Sequence, residues 1–85
     1  MSDELSPKLL EALSVLDSQL ANELIDALGP VAAELGDREE AVLERLATGI
    51  ATGAKPAELN AFVRLLPVTV SRAVQPVIDP VIAAA

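Results

Sequence analysis

Apolar side chains return at helical spacing from Leu59 to Val81, and that periodicity restricts this part of the chain to helix. At 100° per residue Leu59, Phe62, Val63, Leu66, Val70, Ala73, Val74, Val77 and Val81 fall on one face. Arg64, Ser71, Arg72, Gln75 and Asp79 gather on the opposite face. Pro67, Pro76 and Pro80 interrupt the pattern, and each removes a backbone donor and crowds the carbonyl four residues back. The stretch predicts a helix over 56–66 with Pro56 at its first position, a kink or break at Pro67, and helix resuming to about Ile78. Asp79 and Pro80 are expected to end it and leave 81–85 ragged. Val68-Thr69-Val70 alternates as a strand would, but three residues beside a proline are too few to pair.

A second stripe precedes it. Leu9, Leu13, Leu16, Leu20, Leu24 and Leu28 recur every three or four residues, with Leu10, Ala21 and Ile25 widening the face. Ser6 supplies an N-cap hydroxyl and Pro7 a first helical position, while Gly29-Pro30 offers a left-handed cap and a stop. One helix over 7–28 is expected. Pro30 to Leu35 can form one or two turns closed by Gly36. Asp37 and Glu40 are spaced as a capping box for a helix over 38–52. That helix turns Ala41, Val42, Leu43, Leu46, Ala47 and Ile50 inward and stops at Gly53. The fold expected is all-α: a small bundle of three main helices plus a proline-kinked C-terminal helix. It forms a single helical domain over 1–85, with a frayed 1–5, an acidic helical part over 7–52 and an apolar part over 56–85.

Size makes the core of such a bundle thin. A chain of 85 residues buries only about 60% of its unfolded surface, and with no cysteine it has no disulfide to hold it. Yet 52% of its residues are apolar. Self-association or a larger protein partner is the economical way to cover that surface. The contact surface predicted on this ground comprises Leu59, Phe62, Val63, Leu66, Val70, Val74, Val77 and Val81, together with Leu13, Leu16, Leu20 and Leu24 of the first stripe.

Charge narrows the partners. Residues 1–46 carry eleven acidic and three basic side chains, a net of −8, and residues 47–85 carry two acidic and three basic, a net of +1. The acidic half repels phosphate backbones, so nucleic acid is not an expected partner. Met1-Ser2-Asp3-Glu4 is acidic where a secretory leader starts basic, which predicts the cytoplasm, with peripheral membrane placement as the alternative. Residues 65–85 are long enough to span a bilayer, but Arg72 and Asp79 would each cost about 2.5–3.5 kcal/mol near its centre. An amphipathic helix lying on a membrane or packed on protein suits the pattern better.

Catalytic chemistry has few carriers here. Histidine, cysteine and tyrosine are absent, which removes His-based triads, thiolate nucleophiles, tyrosine acids and Glu-x-x-His di-iron sites. Gly49-x-x-x-Gly53-Ala-Lys55 has neither the spacing nor the sequence of a phosphate-binding loop. Asp37, Glu39 and Glu40 lack the spaced ligands and central glycine of a calcium loop and read as helix caps. No catalytic, cofactor or metal residues are assigned. Two features keep two readings each. Asp17 lies within the widened stripe as a buried carboxylate facing a cation or a partner's arginine, or sits at its rim. Gly49 and Gly53 either admit a close helix or mark a helix weakening toward its cap.

The function expected is that of a non-catalytic assembly, scaffold or accessory subunit. It would oligomerise with itself through its apolar helix faces, hold a larger protein partner, or both. The alternative is an accessory subunit that handles a lipophilic ligand or docks on a membrane through the 59–85 face.

Overall fold

The structure is a computed structural model that describes residues 5–84, and among these every regular element is helical. The order is α1 (Pro7–Leu13), α2 (Ser18–Leu28), a 3-10 helix (Gly29–Glu34), α3 (Asp37–Thr52), α4 (Pro56–Arg64) and α5 (Val68–Ala84). The expected all-α class holds, with five α-helices where three and a continuation were expected. The predicted fray over 1–5 lies outside the described residues except for Leu5, which packs against the core.

The first stripe is divided. Ser6 accepts from the Leu9 N–H at 3.2 Å and Pro7 opens α1, as the sequence indicates, but α1 stops at Leu13. Ser14 turns its hydroxyl back onto the Glu11 carbonyl at 2.5 Å, and Leu16 N–H closes a tight turn on Leu13 at 3.1 Å. Ser14, Val15 and Asp17 are poor helix formers in sequence, and local hydroxyl bonding competes with the helical ladder. Asp17 becomes the N-cap residue of α2, exposed, so its rim reading stands and its buried one falls. The stripe survives the break because the turn preserves its direction: Leu9, Leu13, Leu16, Leu24 and Leu28 are buried and Leu20 is half-buried.

Gly29 is not a left-handed cap. Its φ of −50° and ψ of −53° are right-handed helical, and the chain tightens directly into the 3-10 helix with Pro30 in its first turn. Only the glutamate half of a capping box forms, one residue earlier than its spacing suggested. Gly36, lacking a side chain, takes the N-cap position of α3, and its N–H donates to Glu39 Oε1 at 2.9 Å. Glu40 reaches across instead and accepts from the Ser6 hydroxyl at 2.9 Å, fastening the start of α1 to the start of α3. Gly53 does end α3 in the left-handed region, at φ +78°.

α4 ends at Arg64, and the break at Leu65–Pro67 separates it from α5, which packs back on it. α5 does not stop at Asp79–Pro80. It runs through Pro76 and Pro80 to Ala84. Both prolines are exposed and one turn apart, so the two ladder gaps lie on the solvent side of the helix, where a carbonyl without its partner costs least. The opposite face carries Val70, Val74 and Ile78, all essentially inaccessible, and their burial offsets the prolines.

α1 packs on α3, α3 on α4, α4 on α5 and α5 on α2, which closes the bundle around one continuous cluster drawn from all five α-helices. Gly49 is buried in α3, and a side chain there would meet Leu59 Cδ2 at 3.3 Å and Phe62 Cε2 at 3.7 Å. The small residue therefore admits the side chains of α4, which is the close-approach reading, and Gly53 separately serves as the cap.

Candidate functional site

Leu13, Leu16, Leu24, Leu59, Val63, Leu66, Val70 and Val74, eight of the twelve side chains assigned to an assembly surface, are buried in the chain's own core. Leu20, Phe62, Val77 and Val81 are half-buried, and none of the twelve is fully exposed. The periodic face is apolar, and the rest of the same chain covers most of it. A folded copy has only the half-buried members left to offer, and two of these, Leu20 and Val81, line a single groove.

This groove lies where the start of α2, the end of α3 and the last turns of α5 meet. Leu20, Ile50 and Val81 form its floor, each half-buried. Pro80 and Ala84 wall it on the α5 side, and Asp17, Gln19 and Glu23 stand at its α2 rim. Its volume is about 540 Å³. The local sequence places each part. Asp17 is held at the rim because it flanks the start of α2, and Glu23 follows Leu20 by three residues, hence on the adjoining face. Gly53 ends α3 beside Ile50, so the chain turns away and leaves the floor open.

Both ionisable groups at the groove are acidic and exposed, and no lysine or arginine lines it. The end of α3 and the start of α2 meet there, so their opposite dipole ends offset one another and the side-chain carboxylates set the sign. The result is an apolar floor under a negative rim. Such a surface is complementary to a group that is apolar in the middle and basic at its edge.

A second groove between α1, α3 and α4 has the opposite character. Lys8, Glu44, Arg45 and Glu58 mix both signs around Thr48 and Phe62, and Lys8 Nζ stands 3.8 Å from a Glu44 carboxylate oxygen. Charges of both signs lie alongside one another there, so it selects for neither. Among the described residues no group of three or more acidic side chains is placed to hold a metal ion; Glu39 and Glu40 act as helix-end and cross-helix acceptors, and Asp37 stands exposed in the first turn of α3. No helix described is long and apolar enough to cross a membrane.

Among the described residues four large apolar side chains stand on the surface: Leu10, Val15, Leu65 and Val68. Leu65 and Val68 are 66% and 72% exposed, on either side of Pro67 at the α4–α5 corner. The expected contact surface omitted them because they lie off the stripe. That displacement was itself the available signal, since an apolar residue out of phase with a buried face is directed to water. Ile50 and Pro80 were missed because a groove formed by three helix ends leaves no periodic trace. The chain matches no protein-family model, no curated protein and no solved structure.

Proposed function

We propose that the chain is a non-catalytic assembly subunit that takes a protein segment into the groove between α2, α3 and α5. The observation that carries this reading is the pairing of an apolar floor, Leu20, Ile50 and Val81, with the acidic rim residues Asp17 and Glu23. It keeps the expected role, self-assembly or the holding of a larger partner, and moves it from the buried stripes to the groove. The absence of histidine, cysteine and tyrosine from the sequence supports the non-catalytic part. The lipophile-handling alternative relied on the 59–85 face, whose buried residues are core, so it has less surface to work with.

The test places a photo-crosslinking residue at Gln19, on the rim, and at Arg38, exposed at the start of α3 and about 18 Å along that helix from Ile50. Irradiation in cells that produce the chain is expected to yield protein adducts from position 19 and not from position 38. Equal labelling from both positions, or adducts of lipid mass alone from position 19, overturns the proposal.

A further inference from the structure

We propose that the groove receives the α4–α5 corner of a second copy, so that the chain assembles head to tail. The inference rests on the groove being a protein-binding site and names its occupant. The corner presents Leu65 and Val68, the two most exposed large apolar side chains among the described residues. Arg64 and Arg72 flank them, both exposed, and Arg72 lies one turn beyond Val68 on α5. This is the complement of the groove: an apolar tip with basic edges against an apolar floor with acidic ones. Glu34 accepts from the Thr69 hydroxyl at 2.9 Å and so brings one exposed carboxylate to the corner, where the two arginines outnumber it.

The two halves cannot meet within one molecule. Val68 begins α5 and Val81 belongs to its last turns, which at 1.5 Å per residue puts them about 20 Å apart along the helix. The groove of one copy is therefore free for the corner of another. Because the two surfaces differ, the contact is heterologous, and each added copy presents a fresh corner and a fresh groove. Two apolar side chains and two arginines make a small contact, of the weak and salt-sensitive class.

The logic of a two-sided contact supplies its own test. Leu65→Ser/Val68→Ser spoils the corner and keeps the groove. Asp17→Asn/Glu23→Lys spoils the groove and keeps the corner, and asparagine caps a helix as well as aspartate does. All four positions are exposed, so circular dichroism of both variants should match the parent. Arg64→Gln/Arg72→Gln provides a second corner variant that changes no apolar side chain. Sedimentation equilibrium of the parent in about 0.1 M salt, where a Debye length of about 10 Å screens the net charge of −7 between copies, should show its mean mass at least doubling from 8.8 kDa between roughly 10 µM and 1 mM, a span suited to a weak contact. Each variant alone should stay at 8.8 kDa. An equimolar mixture of a corner variant with the groove variant should stop at a one-to-one pair, because only one intact interface remains.

A parent that stays monomeric through that range overturns the inference, as do variants that assemble like the parent. A mixture that forms no pair overturns the head-to-tail geometry even if the parent assembles. If position 19 crosslinks a larger protein while the parent stays monomeric, the groove still binds protein and only its proposed occupant is wrong. If neither occurs, both proposals fail.

Discussion

Gly29 and Gly53 look alike in sequence, each following a helix, and the backbone gives them unequal tolerances. Gly29 is right-handed helical, and apart from its chain neighbours nothing lies within 4 Å of the position a Cβ would take. Pro30 follows it, however, and a Cβ before proline disfavours helical angles. That offsets the freedom Gly29→Ala removes from the unfolded chain, so the variant should stay within about 0.5 kcal/mol of the parent. Gly53 holds φ at +78°, where a Cβ crowds the following carbonyl, so Gly53→Ala should destabilise by about 1–2 kcal/mol. Urea denaturation of the two variants checks both magnitudes. The first stripe divides in the same way. Leu24→Ala empties a site only 2% exposed and should cost about 2–5 kcal/mol, whereas Leu20→Ala at the half-buried groove floor should cost less than about 2 kcal/mol. If the two losses are equal, Leu20 belongs to the core and the groove has no open floor.

At the scale of elements, the joint between α1 and α3 depends on one hydroxyl with two duties. Ser6 accepts from the Leu9 N–H and donates to Glu40. Ser6→Ala should cost about 1 kcal/mol through the cap alone, and Glu40→Ala should cost less, since it leaves that cap intact. The double variant should fall short of the sum of the single ones by about 0.5 kcal/mol or more, and a full double-mutant cycle in urea measures this. Strict additivity would mean that the cross-helix bond contributes nothing. The same joint shows what the sequence could disclose. Ser6-Pro7, the leucine steps and Gly53 are local signals with a single local meaning, and each was legible. Glu40 was assigned the reciprocal capping role because its spacing from Asp37 permits it. Only the approach of α1, settled by tertiary packing, sends it to Ser6. The break at Pro67 was legible from the proline itself, and the break at Ser14–Asp17 was written in local polar residues that the leucine steps concealed, whereas the passage through Pro76 and Pro80 depends on what lies across from that segment. Local propensity is a weak guide there because burial of Val74 and Ile78 outweighs it. The groove was legible only in pieces, as Asp17, Leu20 and Val81, because its other parts come from separate helix ends.

For the whole molecule, the radius of gyration of 11.5 Å is close to the roughly 12 Å typical of a folded chain of this length. The core is closed within one copy, so the proposed assembly would add to a finished fold instead of completing it. α5 packs on α2, α4 and the 3-10 helix, so the C-terminal third is structurally joined to the N-terminal half. Val70 is fully inaccessible in that arrangement. A charge there has no partner and should cost several kcal/mol. At about 0.05–0.15 kcal/mol per residue the entire domain is stable by only about 4–13 kcal/mol, so Val70→Glu should bring it close to unfolding. Because α2 loses its main support along with α5, helicity should disappear from the whole chain in one step, followed by circular dichroism at 222 nm. Gln75→Glu, exposed on the far side of α5, should melt like the parent. If Val70→Glu instead leaves the segment from Pro7 to Thr52 helical and protected from proteases, then the N-terminal half folds by itself. In that event the C-terminal helices are a separable arm, and the buried stripe regains its claim to be a surface for a partner.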